Sequence, residues 1–229
     1  MLGLLWTIIQ PLIALAIFSF FFGYLLKMEG MNMPYPLYAL IGMLSWILFS
    51  QIMTGAGTSL IESQHLMNRL YFPRLILLLS KSMVAFTEFG FSMALVIVVL
   101  LVMGRIPGWP ILLAPFFILF NIVTGLAVAI WLSALTVRYR DIHHLIPFLV
   151  NFGIWFTPVF YPSSLIPANY QFLLYINPLA AVMAGLRWSI AGGSVPEMAY
   201  LFSIIPVALL LISGLFYFRK IENSIADFI

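Results

Sequence analysis

The chain has no cysteine and very little charge. Without cysteine it can form no disulfide and offers no thiolate as a nucleophile or metal ligand. Its 10 lysines and arginines and 7 aspartates and glutamates make up 7% of 229 residues, whereas soluble domains carry about a quarter. So few charges cannot solvate a globule of this size, and a soluble enzyme is therefore excluded.

Other absences narrow the function further. No Gly-Lys-Ser/Thr phosphate loop occurs, so we expect the chain to hydrolyse no ATP by itself. A net charge of +3 with scattered basic residues is not the footprint of a nucleic-acid-binding protein. The three histidines have no acid at ligand spacing, which argues against a bound metal. A membrane-embedded enzyme would need clustered acids and histidines, and a gradient-driven transporter would show inverted repeats and paired midplane charges; neither is seen.

Long apolar stretches dominate the sequence instead. Six are long enough, or nearly so, to cross a bilayer as helices, which takes about 20 residues. They are residues 4–26, 37–58, 75–103, 111–137, 145–161 and 198–218. None alternates apolar and polar residues as barrel strands do. The sequence therefore predicts one all-α transmembrane domain over residues 1–229, with six spans.

The basic residues between the stretches predict the orientation. Seven lie on one side and three on the other: Arg69, Arg74, Lys81, Arg138, Arg140, Arg219 and Lys220 against Lys27, Arg105 and Arg187. Loops rich in lysine and arginine stay in the cytoplasm. We therefore expect the first side, and both termini, to be cytoplasmic.

Three segments between the spans carry distinctive patterns. Residues 61–74 place Ile61, His65, Leu66 and Arg69 at helical spacing, which predicts a short amphipathic helix on the cytoplasmic side. Residues 138–144 form a second polar cytoplasmic segment. Residues 162–196, on the outer side, are too apolar for a solvated loop and too interrupted for two spans. Their split at Asn177-Pro178 predicts a re-entrant pair of short helices.

Two sets of residues within or beside the spans are candidates for function. Glu88 is the one acid inside a predicted span, and an intramembrane carboxylate is a functional candidate. We favour the alternative that it is a packing residue paired with a donor on a neighbouring helix, because no second intramembrane acid is present to form a proton relay. The aromatic cluster Trp155, Phe156, Phe160 and Tyr161 could stack on sugar rings or form a hydrophobic seal, and the sequence leaves both open.

Six motifs in chain order resemble a known family. They are Leu2-Gly3-Leu4-Leu5-Trp6 with Gln10-Pro11-Leu12, Tyr71-Phe72-Pro73-Arg74, Val137-Arg138-Tyr139-Arg140-Asp141 with Pro147-Phe148, Thr157-Pro158-Val159-Phe160-Tyr161-Pro162, Asn177-Pro178-Leu179 with Arg187, and Phe218-Arg219-Lys220-Ile221-Glu222 with Ala226-Asp227. Together they resemble the type-2 ABC exporter permeases that move O-antigen, capsule or teichoic-acid polysaccharides. A basic amphipathic helix usually precedes the first motif in that family. It is missing here, so we expect a truncated reading frame or an upstream start of translation.

The resemblance implies a mechanism and partners. The permease would be a homodimer in the cytoplasmic (inner) membrane, with two separate ATPase subunits that bind ATP and magnesium while this chain binds no cofactor. The cargo would be a polysaccharide on a polyprenyl diphosphate lipid; a small amphiphile or drug is the alternative. Residues implied in coupling to the ATPase are Glu62, His65, Asn68, Arg69, Tyr71, Phe72, Arg74, Arg138, Arg140 and Asp141. Residues implied in the pathway and gate are Trp155, Phe156, Phe160, Tyr161, Asn177, Pro178 and Arg187.

Overall fold

The computed structural model describes residues 3–25, 33–67, 72–139 and 141–222, and all regular structure in these ranges is helical. The α-helices are α1 (Gly3–Phe18), α2 (Tyr35–Glu62), α3 (Gln64–Met67), α4 (Leu75–Val102), α5 (Ala114–Arg138), α6 (Ile142–Gly153), α7 (Gln171–Ile176), α8 (Pro178–Ala191) and α9 (Ile204–Glu222). A π-helix, Ser19–Leu25, continues α1. The 3₁₀-helices are Trp109–Leu113, Ile154–Phe156, Ser163–Leu165, Ala168–Tyr170 and Met198–Ser203. The all-α prediction agrees with this architecture.

Four helical segments of the described chain are long and apolar enough to cross a membrane. They are Tyr35–Glu62, Leu75–Val102, Trp109–Arg138 and Met198–Glu222. The pair Ala168–Ile176 and Pro178–Ala191, bent by 89°, makes a fifth if it is counted as one span. The first and fifth predicted spans correspond to shorter apolar helices, Pro11–Leu25 and Ile142–Phe156. The protein is thus a multi-pass membrane protein, and the six-span arrangement stays a prediction.

The break between α7 and α8 falls where the sequence predicted it, at Asn177-Pro178. Proline restricts the residue before it to extended backbone, which ends α7, and its fixed φ suits the first turn of α8. The Asn177 side chain accepts a hydrogen bond from the Leu179 backbone N–H at 3.0 Å, so it caps α8. At its other end α8 stops at Gly192, whose φ of 67° is left-handed backbone that glycine adopts without strain.

The amphipathic segment differs from its prediction at its start. Ile61 and Glu62 complete the last turn of α2, the chain turns at Ser63, and α3 covers only Gln64–Met67. The predicted helix from residue 61 is therefore two elements. Four predicted coupling residues lie outside the described residues: Asn68, Arg69, Tyr71 and Arg140.

The centre of the fold is α2. In its most apolar stretch 78% of the residues are buried, against 22% to 28% in the other three long spans. It packs mainly on α5 and α4. Two interhelical hydrogen bonds show that α2 and α5 are parallel: Asn121 Nδ2 donates to the Ser45 carbonyl at 2.9 Å, and Thr136 Oγ1 donates to the Gly57 carbonyl at 3.2 Å.

The remaining contacts establish which helix ends lie together. Glu62, at the end of α2, pairs with Lys81, near the start of α4. Arg74, just before α4, donates to the carbonyl of Glu222, the last residue of α9. The ends of α2, α5 and α9 and the starts of α4 and α6 therefore form one end of the bundle, called here the charged end. The start of α2, the segment after α6 and the bent pair lie at the opposite end.

Candidate functional site

The charged end holds most of the described basic residues. Of seven, five lie there: Arg74, Lys81, Arg138, Arg219 and Lys220. The other two are Arg105 and Arg187. Arg187 lies at the opposite end, on the side where the sequence predicted it, but it is buried within α8 at 6% exposure rather than placed in a loop. The cytoplasmic location of the charged end stays a prediction from its excess of basic residues.

Two of the predicted coupling residues hold helices together at this end. Glu62 accepts hydrogen bonds from Lys81 Nζ at 3.0 Å and from Thr58 Oγ1 at 2.6 Å, which joins the end of α2 to α4. The Lys81–Glu62 pair is about half exposed, so it contributes little stability, at most about 1 kcal/mol. Arg74 donates to an otherwise open carbonyl at the end of α9, where a cation also suits the helix dipole.

The other described coupling candidates are available to a partner. Arg138, at the end of α5, and Asp141, just before α6, are exposed, as is His65 of α3. Phe72 is half-buried. The structure therefore brings the described members of this predicted set to one end of the bundle, where Glu62 and Arg74 contact other helices while Arg138, Asp141 and His65 are exposed.

At the opposite end, the segment Thr157–Tyr161 leaves helical geometry and is held by side chains. Its carbonyls at Pro158 and Val159 accept from Arg187 Nη1 at 3.0 Å and Nη2 at 2.8 Å. Its carbonyls at Phe160 and Tyr161 accept from the hydroxyls of Tyr35 at 3.1 Å and Tyr38 at 2.9 Å. Four successive carbonyls are thus satisfied from α2 and α8. Non-helical backbone at membrane depth requires such partners, because lipid offers none.

Arg187 is the centre of this arrangement. Besides its two bonds to the segment, its Nε donates to the Tyr38 carbonyl of α2 at 3.3 Å. Its guanidinium carbon lies 3.4 Å from the centroid of the Tyr38 ring, a cation–π contact. A flat guanidinium presents five donors in a fixed fork, which suits it to join three segments at once. Arg187 therefore ties α8, α2 and the segment Thr157–Tyr161 together.

The predicted gate residues separate into buried and exposed groups. Phe160 is buried, and its ring stacks on Phe18 with centroids 3.7 Å apart. Tyr161 is half-buried and donates to the Trp155 carbonyl at 3.0 Å. Trp155 and Phe156 are 60% and 78% exposed. The four aromatics are therefore not one surface: two belong to the packing, and two are free to contact lipid, a second subunit or a substrate.

Asn177 links the bent pair to the same segment. Its Nδ2 donates to Thr157 Oγ1 at 3.2 Å and to the Phe156 carbonyl at 3.4 Å, while its side-chain oxygen caps α8. Together with Pro178 it fixes the point at which the pair bends. The structure thus brings Asn177, Pro178 and Arg187 to one assembly, and their role in a gate stays a prediction.

Glu88 has a partner on the neighbouring helix. Gln51 Nε2 of α2 donates to Glu88 Oε2 of α4 at 2.7 Å. This is the contact that the packing interpretation requires. Within the described residues, no group of three histidines, aspartates or glutamates is placed to hold a metal ion.

Similarity to known proteins identifies the kind of molecule to which these features belong. Residues 1–191 match the family described as ABC-2 type transporter. The chain belongs to the ABC-2 type transporter family. This makes it a transporter permease rather than an enzyme, and it confirms the family resemblance drawn from the motifs.

The chain is also similar to individual ABC-2 relatives along nearly its whole length. The O-antigen export system permease protein RfbA of Myxococcus xanthus is 26% identical over 226 residues, which cover 96% of this chain and 86% of that protein. Two permeases of the same name from Klebsiella pneumoniae are each 25% identical. Those matches cover 99% and 98% of this chain and 87% and 86% of the two relatives.

Sequence reasoning missed three members of the assembly in this ABC-2 chain: Tyr35, Tyr38 and Gly42. Their spacing in the sequence could have revealed them, because positions separated by three and four residues share one helix face. Two tyrosines and a glycine on one face of an apolar helix indicate a polar partner at that face. A Cβ placed on Gly42 would lie 2.4 Å from Arg187 Nη2 and 2.6 Å from the Val159 carbonyl oxygen. Only glycine leaves room for both.

Replacing Gly42 with alanine tests the Arg187 assembly. We expect Gly42→Ala to lower the free energy of unfolding by about 1–3 kcal/mol, the usual cost of overpacking a filled site. The measurement is the midpoint of thermal unfolding of the purified chain in one detergent. The matched control is Gly90→Ala in α4, where an added Cβ meets nothing within 4 Å, so its midpoint should be unchanged or higher. Equal midpoints for the two variants would contradict the assembly.

Proposed function

We propose that this chain is the membrane subunit of an ATP-driven exporter that moves a polyprenyl-diphosphate-linked polysaccharide out across the cytoplasmic membrane. It would act as a homodimer with two separate ATPase subunits that bind ATP and magnesium. The observation that carries the proposal is similarity over 96% or more of the chain to proteins named O-antigen export permeases. A type-2 exporter of a small amphiphile is the alternative.

The proposed layout is a single transmembrane domain over residues 1–229 with six spans and both termini in the cytoplasm. α1 and the π-helix that follows it, 16 and 7 residues long, run without a gap and supply the first span. Ile142–Phe156 supplies the fifth, and α7 with α8 forms the re-entrant pair. The basic residues at the charged end support its cytoplasmic location.

Energy would enter at the charged end. The sequence has no phosphate-binding loop, so hydrolysis belongs to a partner, and a partner needs a polar docking surface. Arg138, Asp141 and His65 are exposed there, and Asn68, Arg69, Tyr71 and Arg140 join them in the proposal on sequence grounds. Glu62 and Arg74 connect this surface to α4 and α9, so a movement of the docked ATPase would be passed to those helices as rigid bodies.

The opposite end would form the gate. The bent pair is fixed to α2 and to the segment Thr157–Tyr161 through Arg187 and Asn177. A pair held at such defined points can move as a unit rather than unravel. Trp155 and Phe156 stay exposed beside it, and aromatic faces stack on sugar rings in many orientations. These two residues would therefore line the path of a sliding glycan.

Depleting the protein in its own host tests the cargo. We expect a polyprenyl-linked polymer to accumulate on the cytoplasmic face of the membrane while surface glycan falls. The measurement is the lipid-linked glycan pool, separated by membrane face, with re-expression of the chain as control. An unchanged pool would contradict the glycan proposal and leave the small-amphiphile exporter, which is then assayed by efflux.

Reversing one exposed charge tests the docking surface. We expect Arg138→Glu to reduce the amount of ATPase that co-purifies with the permease several-fold, because charged residues at the rim of an interface set partner choice. The matched control is Arg105→Glu at the opposite end, which should leave co-purification unchanged. Full ATPase recovery with Arg138→Glu would remove this residue from the proposed interface.

Removing the exposed aromatics tests the glycan path. We expect the double variant Trp155→Ala/Phe156→Ala to slow appearance of surface glycan while the complex with the ATPase stays intact, because only stacking surface is lost. Phe91→Ala/Phe216→Ala is the control, since both of its aromatics are also exposed but lie on α4 and α9. Normal surface glycan in the first variant would contradict stacking and favour a role in sealing.

A further inference from the structure

Two cavities share a wall at the opposite end of the bundle. One, of about 240 Å³, has a polar lining that includes Arg187, Glu197 and the serines Ser163, Ser164 and Ser194. The other, of about 230 Å³, is lined mainly by aromatic and apolar side chains such as Phe116, Phe117 and Trp188. Residues 195–197 and Tyr200 border both. A polar compartment therefore adjoins an apolar one, as the head and tail of an amphiphile require.

The polar cavity is lined by one positive and one negative charge that do not neutralise each other. Arg187 and Glu197 do not form an ion pair within 4 Å; among the described residues the pair at that distance is Lys81–Glu62. Arg187 donates to neutral carbonyls. Glu197 accepts from the Tyr175 hydroxyl at 2.6 Å. Each charge is thus held in place by neutral groups and has no charged partner within ion-pair distance, although Arg187 is buried and Glu197 is exposed.

The rim of the two cavities carries exposed apolar side chains on one side and exposed serines on the other. The 3₁₀-helix Met198–Ser203 carries exposed apolar side chains, with Met198 84%, Leu201 61% and Phe202 62% exposed. The three serines at the polar side are exposed as well. An amphiphile lying in the bilayer could therefore enter sideways, with its headgroup toward the serines.

We propose that the two cavities form one binding site for a bilayer phospholipid whose headgroup is zwitterionic and ends in a primary ammonium, as in phosphatidylethanolamine. The phosphate lies toward Arg187 and the serine hydroxyls, the ammonium donates to Glu197, and one acyl chain packs against Phe116 and Trp188. An anionic headgroup would leave the Glu197 carboxylate unpaired and repelled. A quaternary ammonium has no N–H to donate. The proposal does not depend on the identity of the cargo.

Bound lipid would stabilise the segment that follows α8. Gly193 donates its backbone N–H to the Arg187 carbonyl at 3.1 Å, and residues 193–197 line the polar cavity. A headgroup that bridges Arg187 and Glu197 would connect the end of the bent pair to the start of the last span. The lipid composition of the membrane would thereby affect the mobility of the proposed gate.

The test uses quenching of Trp188 fluorescence by lipids with brominated acyl chains. The chain is reconstituted into phosphatidylcholine vesicles that contain rising fractions of brominated phosphatidylethanolamine, phosphatidylcholine or phosphatidylglycerol. The Trp188→Phe variant supplies the background from the other five tryptophans. We expect half-quenching of the Trp188 component at about a fivefold lower fraction of the ethanolamine lipid, a modest factor because partly exposed ion pairs are weak.

Two variants at the polar cavity complete the test. Glu197→Gln should abolish the preference for the ethanolamine headgroup and shift it toward phosphatidylglycerol. Tyr175→Phe removes the hydrogen bond to Glu197 but keeps its charge, so the preference should persist. Equal quenching by all three lipids, a preference of the unaltered chain for phosphatidylglycerol, or no quenching that depends on Trp188 would each overturn the proposal.

Discussion

The hydrogen bonds that Arg187 donates to backbone carbonyls are the interaction on which the end of this permease opposite the charged end depends. Between α6 and α7 the chain leaves the helix, and each carbonyl of Pro158 and Val159 that faces the interior needs a donor. In lipid no water supplies one, and an unpaired buried carbonyl costs several kcal/mol. Burying a guanidinium is itself costly. Here the Arg187 guanidinium donates to carbonyls on two elements, and its charge lies over the face of the Tyr38 ring.

The consequences of that interaction extend through this half of the bundle. Gly42 must have no side chain, because the guanidinium and the Val159 carbonyl occupy the space where a Cβ would stand. The bent pair takes a fixed position relative to α2, and the segment after it closes a polar cavity that the same arginine lines. A single buried cation therefore sets the geometry of the proposed gate and half of the proposed lipid site.

The charged end follows a different principle. There the described chain carries most of its exposed charges, and two polar contacts join helix ends, Lys81 with Glu62 and Arg74 with the end of α9. The half-exposed Lys81–Glu62 pair adds little stability, which suits a surface that would bind a partner and transmit movement. Between the halves, α2 and α5 run parallel and are joined by side-chain bonds to backbone carbonyls. These bonds would let a displacement at one end reach the other.

The sequence by itself determined that this is a helical membrane protein, where its long helices lie, where the bent pair breaks and which end carries the charge. These properties are local. A membrane helix satisfies the hydrogen bonds of its own backbone, Asn177-Pro178 ends one helix and begins another, and basic residues cluster at one end of the spans. Only the tertiary structure decided that Arg187 is buried, that Glu88 is paired with Gln51 and that Phe160 is separated from Trp155 and Phe156. Each of those outcomes depends on a partner distant in sequence, and an apolar pattern with so few polar residues does not specify which partners meet.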